Sequence, residues 1–439
     1  MIRFAPALAG LALLAAGPAA AQQPVAVNRI DLVRPDAPAL AAPGPFPVGV
    51  FTHEAVNPGQ VDILNVKPGE PLPRYDRKLT MEIWHPAAEG TAPGTDYRVI
   101  LRDGVAEATI HGRASRGAAP AAGGPFPVVV ISHGYPGNRF LLSHLGEALA
   151  GRGYVAVSLD HLESTYENRA AFGSTLVNRP LDQKYALDEI ARLAAPGGPL
   201  AGVADPSNAA VVGYSMGGYG ALIYAGAGVT QAGVDLSWGA PAGTLGVHLA
   251  GSETHEALMD DRLKAVIAIG PWGWTRGFWD AATAAGLRKP TLFVAGSADD
   301  VSGYAPGVRS IWEAGKGADR WLLTFEHAGH NAAAPMPAPA ESWAPSEHIP
   351  FVPFAHYADP VWDTVRMNNI LQHFAAAFLD WQLKGDAEAA TYLDLVPNAA
   401  DGVWAVNEDG TRKPEHSYWT GFGEGTARGL RMEKLSAGQ

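Results

Sequence analysis

Ala209-Ala210-Val211-Val212-Gly213-Tyr214-Ser215-Met216-Gly217-Gly218-Tyr219-Gly220-Ala221-Leu222 is the stretch that decides how this chain folds. Ala209 to Gly213 is an apolar run of the kind found in strands buried on both faces. Met216 to Ala225 has the character of a helix. Between them lies Gly-x-Ser-x-Gly, a turn so tight that its serine takes a strained conformation and the positions two residues away have no room for a side chain. Such a turn lifts the Ser215 hydroxyl above a sheet edge and points a helix N-terminus at whatever the hydroxyl meets. The dipole and the free amide of Met216 then favour negative charge at that point. The pattern predicts a nucleophile at Ser215; the plainer alternative is a Gly-rich strand–helix turn with an incidental serine.

Outward from this turn the chain alternates strand and helix. Strands are expected over Pro127–Ser132, Tyr154–Leu159, Lys264–Ile269, Thr291–Ala295 and Trp321–Phe325, and earlier over Pro47–His53, Lys78–His85 and Tyr97–Leu101. Helices are expected over Arg139–Gly151, Pro180–Leu193 with Pro180 in the first turn, Gly307–Ala314 and Trp362–Leu383. This rhythm predicts an α/β protein with a mostly parallel central sheet flanked by helices. The expected domain runs from 47 to 396. Two stretches break the rhythm, 231–261 and 331–360, and read as lid-like insertions near the active site. Residues 22–46, rich in Ala and Pro, read as loose, and 397–439 as a C-terminal extension over the surface.

A serine hydroxyl needs a base to take its proton, and the base needs a carboxylate to fix its tautomer. In a sheet of this type the order is serine, acid, histidine. Asp299 and Asp300 follow the strand that ends at Ala295, and Asp299 is preferred as the acid, with Asp300 as the alternative. His330 lies in the loop after Phe325, with Gly329 giving it reach, and is preferred to His327; His348 and His356 are weaker candidates. Developing charge on a carbonyl oxygen needs a second amide besides that of Met216. The loop His133-Gly134-Tyr135-Pro136 supplies it from Tyr135, because Pro136 has no N–H. His133 itself reads as a residue that orders this loop.

The bulk properties exclude several classes. The 439 residues are 47% hydrophobic and 17% charged, enough for a large core. The net charge of −12 is spread without a Lys/Arg block, which argues against a nucleic-acid partner. There is no cysteine, so disulfides, thiolate sites and an acylated cysteine anchor are excluded. Asp160, His161 and Glu163, or His327 with His330, lack a third ligand at a recognised spacing, so no metal is expected. Neither a dinucleotide fingerprint nor a phosphate loop occurs, so no cofactor is expected. At the N-terminus, Arg3, the apolar run from Phe4 to Ala16 and Ala19-Ala20-Ala21 read as a cleavable signal peptide over 1–21. That implies a periplasmic or secreted protein with no stable membrane anchor. The oligomeric state is not legible.

Ile83-Trp84-His85-Pro86, the His133-Gly134-Tyr135 loop, Asp160-His161, the Ser215 turn and the Asp299 and His330 segments together resemble the α/β-hydrolase superfamily. More narrowly the chain resembles dienelactone hydrolases and bacterial platelet-activating-factor-acetylhydrolase-like esterases, over roughly 47–385. It departs from dienelactone hydrolases in having Ser215 where they carry a cysteine. Its insertions and tail set it apart from compact polyester hydrolases, to which the Gly134-Tyr135 loop is similar. The resemblance implies an α/β-hydrolase fold and a serine hydrolase cleaving carboxylic esters through an acyl-enzyme, with a small-molecule or lipid-like ester as substrate. Polyester or phospholipid-acetyl hydrolysis is the near alternative, and a non-catalytic periplasmic binding protein the alternative of another class. Trp272, Trp274, Phe278 and Trp362 are expected to wall the substrate pocket, with ordinary core packing as the competing explanation.

Overall fold

The computed structural model describes residues 27–439. The expected signal peptide over 1–21 lies outside the described residues. Among the described residues no helix is long and apolar enough to cross a membrane.

The core is a ten-stranded sheet. Its strands are β1 (Val48–Val61), β2 (Arg74–Pro86), β5 (Ser115–Arg116), β6 (Phe126–Ser132), β7 (Val155–Leu159), β8 (Ala204–Tyr214), β9 (Leu263–Ile269), β10 (Thr291–Gly296), β11 (Arg320–Phe325) and β12 (Leu430–Leu435); β3 (Asp96–Ile100) and β4 (Glu107–His111) form a separate hairpin. The order across the sheet is β12-β11-β10-β9-β8-β6-β7-β2-β1-β5. From β7 to β11 all neighbours are parallel, and antiparallel pairs occur between β1 and β2, β2 and β7, and β11 and β12.

The parallel strands are apolar along their length because helices cover both faces. Side chains alternate between the two layers. Val129 and Ile131 of β6 face a core built with Leu371, Phe374 and Phe378 of the helix Thr364–Lys384. Val128 and Val130 face the other, with Leu187 and Ile190 of the helix Phe172–Leu193 and Leu222 of the helix Met216–Tyr224. Each such side chain contributes about 1.5–3 kcal/mol by leaving water.

Three expectations are corrected. The helix expected to begin at Pro180 begins at Phe172, so Pro180 lies in its interior. A proline there cannot donate to the carbonyl four residues back. The Tyr219 hydroxyl donates to that Leu176 carbonyl instead, at 3.3 Å, and His248 Nε2 meets the next one, Val177, at 2.7 Å. The segment expected to be loose over 22–46 is tied down from Ile30: the Ile30 amide donates to His111, Arg34 to the Asn369 side chain, and Ala39 to Gly421. The tail after 397 lies over the surface, exposed or half-buried, only across 401–417. It supplies β12, which pairs in register with β11 and buries Trp419 and Leu430, covering an otherwise open sheet edge.

Candidate active site

Ser215 sits between β8 and the helix Met216–Tyr224 with φ 54° and ψ −111°. That is a region L-residues occupy at a cost, held here by close backbone approach. A Cβ on Gly217 would lie 2.0 Å from the Ser132 carbonyl oxygen, and one on Gly213 2.2 Å from that of Gly217. Only glycine fits at either position, which is the physical content of the motif.

The hydroxyl of Ser215 lies 2.9 Å from His330 Nε2, and His330 Nδ1 lies 2.9 Å from Asp299 Oδ2. A carboxylate only accepts, so Nδ1 carries the proton given to Asp299 and Nε2 is left to accept from the serine. Asp299 Oδ1 takes the amides of Val301 and Ser302, each at 2.9 Å. Burial opposes the charge on Asp299, but the His330 hydrogen bond, the His330 charge and these amides outweigh it and hold the carboxyl below its usual range. Asp300, the alternative acid, is exposed at the cavity rim; His327 also lines the cavity but is not hydrogen-bonded to Ser215.

The loop after β6 runs beside the serine, so close that a Cβ on Gly134 would lie 3.4 Å from that of Ser215. Among the described residues the amides of Tyr135 and Met216 have no hydrogen-bond acceptor. The loop is fixed from below. Arg179, fully buried, donates to the carbonyls of His133 and Gly134, the latter at 2.8 Å, and to the Ser164 hydroxyl. Burial depresses the Arg179 guanidinium to about 9. His133 Nδ1 also meets the Gly134 carbonyl, at 2.6 Å, and burial followed by the charges of Arg179 and His161 holds this ring well below its ordinary range, so it orders the loop as a neutral group.

A second Ser-His-Asp series lies under the first. Ser132 is 2.8 Å from His161 Nε2, and His161 Nδ1 is 2.9 Å from Asp182, which Arg77 clasps with 2.8 and 2.9 Å bonds. Ser132 is 0% and His161 1% exposed, so no substrate reaches them. Burial holds His161 down to about 3, and it remains a neutral bridge. Asp160 pairs with Arg139, and Glu163 with Arg77 and Ser174, so Asp160, His161 and Glu163 each have partners of their own.

Ser215 and His330 open into a cavity of about 460 Å³. Its wall includes Tyr135 and Tyr214, then Arg102 from the turn after β3, and Phe351, His356 and Asp359 from the segment 331–360. Asn331 ties that segment over the site: it takes the Tyr214 hydroxyl at 3.0 Å and donates to Ala355 and Ala358. The segment 231–261 contributes nothing to this wall. It packs on the far helices through His248 to Val177 and His255 to Ile223.

The four aromatics expected in the pocket do not line it. Phe278 is buried against Tyr219 and Trp272. Trp272 packs edge-on against Phe172, one layer behind Tyr135, and Trp274 opens a short turn nearby. Trp362 packs on Phe325 and donates to the Glu326 carbonyl at 2.8 Å. Phe278 and Trp362 are absorbed by the core, the competing explanation, whereas Trp272 and Trp274 are half-buried and pack against its edge. Arg102 carries no local signal in the sequence; it reaches the cavity only because the hairpin β3–β4 folds over the carboxyl edge of the sheet.

The sheet order, the helices on both faces and the serine turn between β8 and its helix define an α/β-hydrolase fold. A family model described as PET hydrolase-like matches residues 104–238, a span that includes the Tyr135 loop and Ser215 and ends before Asp299 and His330. Among solved structures the chain is similar to a ferulic acid esterase from Streptomyces cinnamoneus, at 23% identity and a TM-score of 0.55, covering 82% of this chain and 94% of that one. No curated protein sequence matches this chain. The likenesses thus fall among ester hydrolases.

Proposed function

We propose that this protein is a serine hydrolase of carboxylic esters. One observation carries the reading: an unbroken hydrogen-bonded series from Asp299 through His330 to Ser215, 2.9 Å at each step, with its serine end in a cavity of a size that holds a small organic substrate. Ser215 Oγ attacks the ester carbonyl while His330 Nε2 takes its proton. The oxyanion is held by the amides of Tyr135 and Met216. The tetrahedral species collapses, the C–O bond to the alcohol breaks, and His330 returns the proton to the leaving oxygen. Water then attacks the acyl-Ser215, giving its proton to His330; collapse releases the acid and restores the serine. Asp299 keeps the imidazole in the required tautomer and steadies its charge.

The PET hydrolase-like match favours a second reading, hydrolysis of polyester chains. The segment 331–360 over the cavity favours small soluble esters instead, since a polymer surface needs an open cleft. The pattern of residues 1–21 supports export, and we place the activity in the periplasm or medium. Fluorophosphonate labelling tests the mechanism, and a panel of aryl and alkyl esters of graded acyl length, with a polyester film alongside, tests the substrate. Labelling lost in Ser215→Ala, with turnover of soluble esters, supports the reading. An unlabelled protein, or labelling and turnover retained in Ser215→Ala, refutes it.

A further inference from the structure

The cavity holds a positive charge that the ester chemistry does not use. Arg102 lines it together with Ser215 and His330. Its Nη1 is buried and, among the described residues, has no hydrogen-bond partner, and the guanidinium makes no ion pair. Phe351, from the segment that roofs the site, lies under it at 5.3 Å from the ring centroid. This contact orients the guanidinium, whose Nη1 is left without a partner among the described residues.

Such a group is costly. A cation taken partly out of water is normally matched by a carboxylate. Here burial works against the charge, and the next charged group that bears on it, Arg169, has the same sign. The two carboxylates on the cavity wall are not its partners. Asp359 is committed to the amides of Gly329, Val361 and Trp362, and Asp300 stands exposed at the rim. A chain with a net charge of −12 therefore keeps an unmatched cation on the wall of the cavity that holds its reactive serine. His356 beside it is held down to about 3 by burial, then by the charges of Arg102 and His330, so it adds no competing charge.

The geometry points to Arg102 as the recognition group for an ionised carboxylate on the substrate, so that the preferred esters are those with a free acid group, such as half-esters of dicarboxylic acids. This rests on the ester-hydrolase reading and narrows it. Arg102 binds the carboxylate through its unpartnered Nη1, and a guanidinium is suited to a two-point contact. The ester carbonyl then reaches Ser215, and the reaction releases an alcohol and a dicarboxylate.

The test uses matched pairs: monomethyl and dimethyl glutarate for a charge on the acyl side, and 4-carboxyphenyl and phenyl acetate for a charge on the alcohol side. The quantity read is the ratio of kcat/KM for the anionic member to that for the neutral one. A charged hydrogen bond of ordinary strength predicts that Arg102→Gln lowers this ratio about 10- to 100-fold in at least one pair, with Arg102→Lys falling between. A ratio unchanged by Arg102→Gln in both pairs overturns the proposal. A second measurement needs no variant: glutarate should inhibit hydrolysis of phenyl acetate by the native protein competitively and more strongly than glutaramide, and equal inhibition by the two counts against it. Failure of the native protein to hydrolyse any neutral or anionic ester refutes the ester-hydrolase reading instead, which keeps the two claims separable.

Discussion

Replacing Arg179 with Met keeps most of the aliphatic stem and removes the guanidinium under the loop 133–136, whose Tyr135 amide is proposed to hold the oxyanion. The wild-type group donates to the carbonyls of His133 and Gly134 and to Ser164. After the change the Gly134 carbonyl keeps His133 Nδ1 as a partner, whereas the His133 carbonyl and the Ser164 hydroxyl lose theirs. A buried polar group left without a partner costs about 1–3 kcal/mol. Against this stands the relief of a buried charge, whose depression to about 9 records that its site disfavours it. The expected net loss of stability is therefore modest, about 1–3 kcal/mol. The loss of rate is expected to be of similar size in free energy. Losing an oxyanion donor outright costs about 100- to 1,000-fold in kcat, so a misaligned Tyr135 amide should cost about 10- to 100-fold, with KM little changed. The assay is steady-state hydrolysis of a soluble aryl ester beside urea unfolding. A variant that unfolds more easily yet keeps the wild-type kcat would refute the argument that Arg179 positions the loop.

Two further expectations concern the buried network and the roof. Asp182→Asn breaks the buried pair with Arg77 and should destabilise the protein by about 3–5 kcal/mol at neutral pH. Burial opposes the Asp182 charge, but Arg77 and His161 hold the carboxyl down to about 2, against about 3.9 in the unfolded chain. A lowered acid contributes stability above its unfolded value and loses it as pH falls toward the folded one. The gap between wild type and variant should therefore narrow by about 2 kcal/mol between about pH 4 and 2, and denaturation midpoints across that range check it. Deleting Ser346–Phe354 removes Phe351 and part of the roof, and should widen the range of ester sizes hydrolysed; an unchanged substrate profile across the acyl series would show that this segment does not select.

The parts of this molecule that read directly from the sequence are those governed by short-range physics. The Ser215 turn is legible because a Cβ at Gly217 or Gly213 would lie only 2.0 or 2.2 Å from a backbone carbonyl oxygen, which leaves only glycine at either position. The parallel strands are legible because burial on both faces demands unbroken apolar runs, and Asp299 and His330 because they follow such strands at their carboxyl ends. The interior position of Pro180 was hidden, since the donors that satisfy the carbonyls around it, Tyr219 and His248, come from distant segments. Trp272, Trp274, Phe278 and Trp362 show the same limit from the other side: an aromatic side chain has the same identity in a pocket wall as in a core, and only its neighbours distinguish the two.

Sequence by itself therefore determined the fold class and the turn that carries the serine, and it singled out Asp299 and His330, which hydrogen-bond in series to Ser215. Tertiary structure alone decided which insertion roofs the cavity, that the C-terminal tail closes a sheet edge, that Ser132-His161-Asp182 is sealed while Ser215-His330-Asp299 is open, and that Arg102 lines the serine's cavity without a counter-ion. The division follows from range: local sterics and apolar periodicity are written in adjacent residues, whereas solvent access and charge pairing depend on segments that meet only when the sheet and its covering layers assemble.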